Sequence, residues 1–207
     1  MSQIKTASLV SYMTIITNIL VGLILTPFIL KSLGKSEYGL YMLVGSIIGY
    51  LALFDFGFNK TTIRFVSKYR HEGNKEKEEV FIATNLRVYF VIAVVIVLFG
   101  LAGFTTIDYF FLEKFTDQEL YAFKVMYLFM LLNVVWVIVS GSLLGIIIAY
   151  EQFIFPKALN YVRILLRAVT IVVVLKSGGK AIGIVLVDTF FNLGILLTYI
   201  IFCFHNY

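Results

Sequence analysis

The sequence has little of what a water-soluble or metal-binding protein requires. Only 14% of the 207 residues are charged and 60% are hydrophobic, whereas soluble domains average about 25% charged residues. So many apolar side chains cannot all be buried inside one soluble core. The chain has one cysteine and two histidines, too few for an internal disulfide or a cysteine–histidine metal cluster. We therefore expect an integral membrane protein with no metal and no cofactor.

Long apolar runs fill most of the remaining sequence. A helix needs about 20 residues to cross the roughly 30 Å hydrocarbon core of a bilayer. Strands of a membrane barrel would instead alternate in polarity over about ten residues, and the run VIAVVIVLFG at residues 91–100 does not alternate. The sequence predicts an all-α, polytopic membrane protein with six transmembrane helices in a single domain, residues 1–207. The six predicted spans are approximately Ala7–Leu30, Tyr38–Phe58, Val80–Gly103, Tyr121–Ala149, Ala158–Leu175 and Ala181–Phe204.

The basic residues predict the orientation of these spans. With six spans both termini lie on one side, and lysine and arginine are enriched in cytoplasmic loops. The side with the termini carries eight of them: Lys5, Lys60, Arg64, Lys68, Arg70, Lys75, Lys77 and Lys157. The other side carries five: Lys31, Lys35, Lys114, Lys176 and Lys180. We expect both termini in the cytoplasm. Nucleic acid is not an expected partner, because the basic residues are interspersed with membrane-length apolar runs.

The segment after the second span has a basic face. On a helical wheel Arg64 and Lys68 lie opposite an apolar side formed by Ile63, Phe65, Val66 and Tyr69. Such a helix lies in the membrane interface or continues the second span beyond the membrane. In either arrangement we expect Arg64 and Lys68 to contact anionic phospholipid headgroups.

Motifs of enzymatic chemistry are missing. No glycine-rich phosphate loop followed by Lys-Ser or Lys-Thr occurs, which argues against an ATP-driven motor. The serine between Gly141 and Gly145 lies in an apolar helix, where small residues are typical of close helix packing. His71 and His205 lie at or beyond the predicted membrane edges, so that serine has no nearby base. We expect a protein that is not an enzyme.

Two arginines in the fifth span are the clearest functional candidates. Arg163 and Arg167 are four residues apart and therefore share one helical face. A charge deep in lipid costs at least about 2.5–3.5 kcal/mol on insertion scales, so it usually faces a protein interior or a water-filled cavity. Arg163 can extend to the headgroups, whereas Arg167 lies near mid-membrane and is expected to line a polar cavity. The planar guanidinium group can bind phosphate through two hydrogen bonds.

Two acidic residues within the predicted spans could balance these charges. Asp55 precedes Gly57 near the end of the second span, and Asp188 lies in the sixth span on the same face as Asn192. For each aspartate two roles are open. It forms a structural ion pair or hydrogen bond, or it couples transport to protons or sodium.

Three motifs resemble those of a known family. Residues 33–41, LGKSEYGLY, resemble the first external loop and second helix of bacterial polysaccharide and oligosaccharide flippases, in the multidrug/oligosaccharidyl-lipid/polysaccharide exporter superfamily. Residues 54–57, FDFG, followed by residues 63–70, IRFVSKYR, are similar to that family's aspartate-x-glycine helix and first cytoplasmic loop. Residues 141–151 and the arginine-bearing fifth span resemble its connection between the fourth and fifth helices. The resemblance extends over nearly the whole chain.

The resemblance implies a transport function in the bacterial cytoplasmic membrane. Such proteins move oligosaccharides linked to polyprenyl pyrophosphate to the outer leaflet through a cavity between two six-helix lobes, often with arginines for the pyrophosphate. Arg163 and Arg167 are the positions here most similar to those arginines, and Arg167→Ala is expected to impair translocation more than protein level. Six spans correspond to the amino-terminal lobe, which would pair with a second lobe or form a homodimer. The alternatives are a truncated, non-transporting fragment and a drug or ion exporter of the same superfamily.

Overall fold

The chain folds into helices. The computed structural model describes residues 2–53, 57–111 and 115–206, and every regular element within those ranges is helical. The helices are α1 (Ser2–Ala52), α2 (Phe58–His71), α3 (Lys75–Phe111), α4 (Asp117–Ala149), α5 (Ile154–Lys176) and α6 (Ala181–Asn206). Five of them, α1 and α3 to α6, are long and apolar enough to cross a membrane. Helices suit a bilayer because they satisfy their backbone hydrogen bonds internally. The prediction of an all-α, polytopic membrane protein is confirmed.

The first two predicted spans form one interrupted helix rather than two helices with a loop between them. α1 has 51 residues, and its one non-helical residue is Gly34, with φ 77° and ψ 172°. Glycine adopts a positive φ without the steric cost that a Cβ atom would add. A straight helix of this length would measure about 75 Å, more than twice the hydrocarbon thickness. Gly34 therefore divides α1 into two arms, residues 2–33 and 35–52.

The second predicted span is broken near its end. α1 ends at Ala52, Gly57 has a left-handed conformation with φ 71°, and α2 begins at Phe58. α2 then runs beside the last third of α4, where the Asn59 amide donates a hydrogen bond to the Gly141 carbonyl. The predicted span Tyr38–Phe58 thus contains most of one arm of α1 and the glycine break, and α2 begins at its last residue. Of the two arrangements expected for the basic segment, this packing favours continuation of the second span.

Hydrogen bonds between helices group the turns of the chain at two ends. At one end they join Ala7 with Lys157 (3.1 Å), Ser67 with Ala149 (3.4 Å) and Glu78 with Tyr150 (2.6 Å). At the other end they join Ser36 with Glu119 (2.6 Å), Glu37 with Ala181 (2.8 Å) and Asp108 with Lys124 (2.7 Å). A chain that crosses the helix bundle back and forth must have its turns grouped at two ends in this way. Within the described ranges the chain passes between the two ends six times. The first arm of α1 makes the first pass, and its second arm together with α2 makes the second.

Helices α3 and α4 extend beyond their predicted spans. α3 covers Lys75–Phe111 rather than Val80–Gly103, and α4 begins at Asp117. Thr116 and Glu119 form a reciprocal capping box at the start of α4, which satisfies two backbone donors at the helix end. Hydropathy detects only the apolar length of a helix, so polar turns that extend past the membrane are missed.

A small polar interface joins α2, α3 and α4. The Thr62 hydroxyl donates to the Asn85 side-chain oxygen at 2.9 Å, and the Asn85 amide donates to the Ser142 hydroxyl at 2.9 Å. All three side chains are buried. A Cβ atom at Gly145 would lie only 3.0 Å from two carbon atoms of Thr62. Small residues thus allow α2 and α4 to approach closely enough to satisfy these buried polar groups.

Gly145→Ala is expected to destabilise this interface. The added methyl group must displace Thr62, and overpacking of this kind costs about 1–3 kcal/mol. Gly141→Ala is the matched control, since its Cβ would meet nothing closer than the Asn59 amide nitrogen at 4.0 Å and alanine is the better helix former. Thermal unfolding of the purified proteins should give a lower Tm for Gly145→Ala and an unchanged or higher Tm for Gly141→Ala. Equal Tm values would show that the close contact does not limit packing.

Candidate functional site

A hollow lies among the helices. It consists of two adjoining cavities of about 720 and 520 Å³. Both cavities are lined by Asn133, Val134, Asn160, Arg163 and Asn192. The larger cavity is mainly apolar. The smaller one adds the polar side chains of Asn18, Tyr41, Arg167 and Asp188. The hollow therefore has a polar part and an apolar part that meet at Arg163.

Arg167 forms an ion pair with Asp188 in the smaller cavity. Its Nη2 donates to Asp188 Oδ2 at 2.9 Å and its Nε donates to Asp188 Oδ1, so the pair is bidentate. The two side chains are 31% and 21% exposed. The pair connects α5 to α6, and the two charges neutralise each other. A bidentate guanidinium–carboxylate pair also fixes both side chains in orientation.

Arg163 has a different environment one helical turn away. Its Nη2 donates to the side-chain oxygen of Asn192 at 2.5 Å, which is a neutral acceptor. In the described ranges no carboxylate lies within 4 Å of its guanidinium group. Arg163 thus has no ion-pair partner in the described ranges at the place where the two cavities meet. The nearby Arg167 carries the same charge, so an anion entering the hollow would meet a guanidinium group that has no directly bonded carboxylate in the described ranges.

A chain of amide hydrogen bonds holds Arg163 in place. The Asn192 amide donates to Asn133 at 3.0 Å, and the Asn133 amide donates to the Thr189 hydroxyl at 2.9 Å. This network joins α4, α5 and α6 beneath the guanidinium group. The sequence motifs do not mark Asn133 or Asn160 as site residues. The spacing of Asn160, Arg163 and Arg167 on one face of α5 was the signal that could have identified Asn160.

The structure brings three of the predicted candidates together and places Arg64 and Lys68 elsewhere. Arg163, Arg167 and Asp188 all line the hollow. Asp55 lies outside the described residues. Arg64 and Lys68 are exposed on α2 and belong to the lining of neither cavity. Within the part of the chain that is described, no three His, Cys, Asp or Glu residues are close enough to hold a metal ion.

The fold and the hollow define a multi-pass membrane protein with a charged hollow among its helices. The family model described as "Polysaccharide biosynthesis protein" matches residues 4–207, so the chain belongs to that family. The resemblance to polysaccharide flippases is thereby confirmed at the level of the family, and this is a membrane protein of a polysaccharide biosynthesis and export family.

The chain is also similar to a protein of Bacillus subtilis (strain 168) described as "Uncharacterized membrane protein EpsK". The two are 32% identical over 79 residues, which is 38% of this chain and 15% of that protein. The match therefore spans a small part of the length of this relative. No solved structure matches the chain significantly.

Proposed function

We propose that the chain translocates oligosaccharide units linked to polyprenyl pyrophosphate across the membrane for polysaccharide export. The observation that carries this proposal is Arg163, a guanidinium group with no carboxylate partner in the described ranges, at the junction of a polar and an apolar cavity. Pyrophosphate is a dianionic group that needs a positive partner, and guanidinium binds its oxygens through parallel hydrogen bonds. Membership of the polysaccharide biosynthesis family supports the same substrate class.

The remaining lining of the hollow suits such a substrate. Amide side chains of Asn18, Asn160 and Asn192 offer donors and acceptors for sugar hydroxyls. The larger cavity offers an apolar wall for the start of the polyprenyl chain. The protein's contribution is binding and passage, and no covalent step is part of the proposal. Asp188 is already neutralised by Arg167, which makes the hollow poorly suited to the cations that a drug exporter would carry.

A second lobe completes the transporter in this proposal. Asn18, Gly45 and Gly49 line the smaller cavity yet are exposed in the chain by itself. A polar wall left open towards lipid would be unfavourable, so a facing lobe or a second copy of the chain is expected to cover it. With both halves in place, Arg163 would lie near the centre of the assembled protein.

The proposed location is the bacterial cytoplasmic membrane, with both termini in the cytoplasm, as the distribution of lysine and arginine favours. Cysteine labelling checks this orientation in a Cys203→Ser background. Glu76→Cys, near the start of α3, should be protected from an impermeant maleimide in intact cells, and Gln118→Cys, near the start of α4, should be labelled. Both side chains are exposed. The reverse pattern would contradict the proposed orientation.

The proposed function is tested in the native membrane, where any second lobe is present. Spheroplasts are treated with periodate, which does not cross the membrane and oxidises only outward-facing sugars. Deletion of the chain should lower the oxidised fraction of lipid-linked oligosaccharide severalfold while the total amount stays the same or rises. An unchanged oxidised fraction would contradict the proposal, and loss of cationic dye efflux instead would indicate a drug exporter.

A further inference from the structure

Helix α2 presents a stripe of three cations to the outside of the helix bundle. Lys60, Arg64 and Lys68 follow each other at intervals of four residues, and all three side chains are exposed. On the opposite side of α2, Thr62 and Val66 are fully buried. α2 contains no aspartate or glutamate. We call these three residues the basic stripe.

The basic stripe reaches from the edge of the apolar layer into it. Asn59, next to Lys60, donates to the carbonyl of Gly141, which precedes the end of α4 at Ala149 by eight residues. That distance is about 12 Å along a helix. Ser67, next to Lys68, donates to the carbonyl of Ala149 itself, at 3.4 Å. Lys60 therefore lies level with an apolar part of α4, and Lys68 lies level with its end.

These cations have no firm counter-charge among the described residues. Lys68 lies 3.8 Å from Glu72, and both side chains are about half exposed, at 57% and 45%, so that pair is weak. Lys60 and Arg64 have no carboxylate within 4 Å in the described ranges. None of the three residues lines the hollow. The basic stripe is therefore separate from the transport site and needs another source of negative charge.

We propose that the basic stripe binds the phosphate headgroups of anionic phospholipids in the leaflet at its own end of the chain. Lysine and arginine side chains extend along apolar surface and place their charges at the headgroup level, and an anionic leaflet attracts such clusters. The depth of Lys60 favours a lipid over a soluble peptide or a nucleic acid, because neither of those enters an apolar layer. This inference stands independently of the proposed transport function.

The proposal is tested with a tryptophan reporter beside the stripe. Trp136 is the one tryptophan of the chain, so the full chain carrying Trp136→Phe and Thr61→Trp reports from an exposed position next to Lys60. The protein is reconstituted into phosphatidylcholine vesicles that contain brominated phosphatidylglycerol or brominated phosphatidylcholine, which quench a nearby tryptophan. We expect phosphatidylglycerol to be preferred at the reporter at least about fivefold, the contribution of one cation at an anionic surface.

Variants of the basic stripe and of the opposite end of the chain distinguish lipid binding by the stripe from a general effect of charge. K60Q/R64Q/K68Q should lower the preference for phosphatidylglycerol over phosphatidylcholine to about one. K60R/R64K/K68R keeps the three charges and should retain the preference. K31Q/K35Q/K176Q removes the same charge from exposed lysines at the opposite end of the chain, and it should leave the preference unchanged. A preference near one in the unsubstituted stripe, or one that survives the triple glutamine change, would overturn the proposal. Relief of the quenching by micromolar inorganic pyrophosphate would assign the stripe to a soluble anion and would also overturn it.

Discussion

Arg163→Ala is expected to lower the rate at which lipid-linked oligosaccharide becomes accessible to periodate by about 10- to 100-fold. The amount of folded protein in the membrane should change less than twofold. The reason is that Arg163 donates to the neutral Asn192 and has no ion pair to lose in the described ranges. Its removal takes away one or two charge-assisted hydrogen bonds to the substrate and little of the packing.

Two further variants make this prediction specific. Arg163→Lys keeps the charge but not the planar pair of donors, so an intermediate rate is expected. Arg87→Ala is the matched control, because Arg87 is exposed on α3 and lines neither cavity. It should translocate at the native rate. A native rate in Arg163→Ala would remove Arg163 from the substrate site.

Asp188→Asn is expected to lower the free energy of unfolding by about 2–3 kcal/mol, since it leaves the Arg167 charge without its partner. Loss of one member of a well-buried ion pair costs about 3–5 kcal/mol, and the partial exposure of both side chains, 31% and 21%, places this pair below that range. The fall in Tm should be about 5–10 °C. Thermal unfolding of the purified protein measures this effect.

The double variant Arg167→Gln/Asp188→Asn should recover at least half of the lost stability. Both charges are then gone, and the neutral amides can still form a hydrogen bond, so a double-mutant cycle should give a coupling energy of more than about 1 kcal/mol. Asp108→Asn provides the control. It breaks the more exposed pair with Lys124, where Asp108 is 52% exposed, and should cost less than about 1 kcal/mol. No recovery in the double variant would mean that Arg167 and Asp188 act separately.

This ion pair changes the expectation that sequence alone supplied for Arg167. From sequence, Arg167→Ala was expected to affect translocation more than protein level. Since Arg167 holds Asp188 between α5 and α6, its loss is now expected to lower the protein level as well. We therefore propose that Arg163 contacts the substrate and that Arg167 stabilises the wall of the hollow.

The sequence predicted the helices well and their breaks less well. The apolar length of α4, α5 and α6 placed these helices to within a few residues, because crossing a bilayer demands about 20 apolar residues whatever the neighbours are. The predicted second span ends at Phe58, next to the break at Gly57, because the polar residues Asn59 and Lys60 follow there. Gly34 was expected in a loop, yet α1 continues on both sides of it, since one positive φ is enough to redirect a helix.

The sequence placed the candidate residues on shared helical faces but did not give the pairing of their charges. The four-residue spacing of Arg163 and Arg167, and of Asp188 and Asn192, places each pair on one helical face. Which aspartate would neutralise which arginine depends on the rotation of α6 against α5, and no local pattern encodes that rotation.

Membrane insertion and the shared faces of the charged residues were thus determined by the sequence itself, because both depend on local composition and on the helical repeat. The tertiary structure alone decided that Arg167 is paired with Asp188 and that Arg163 has no carboxylate partner in the described ranges. The physical reason is that an ion pair requires two atoms within a few ångströms, and packing contacts between distant segments, such as that of Asn133 with Asn192, set that distance.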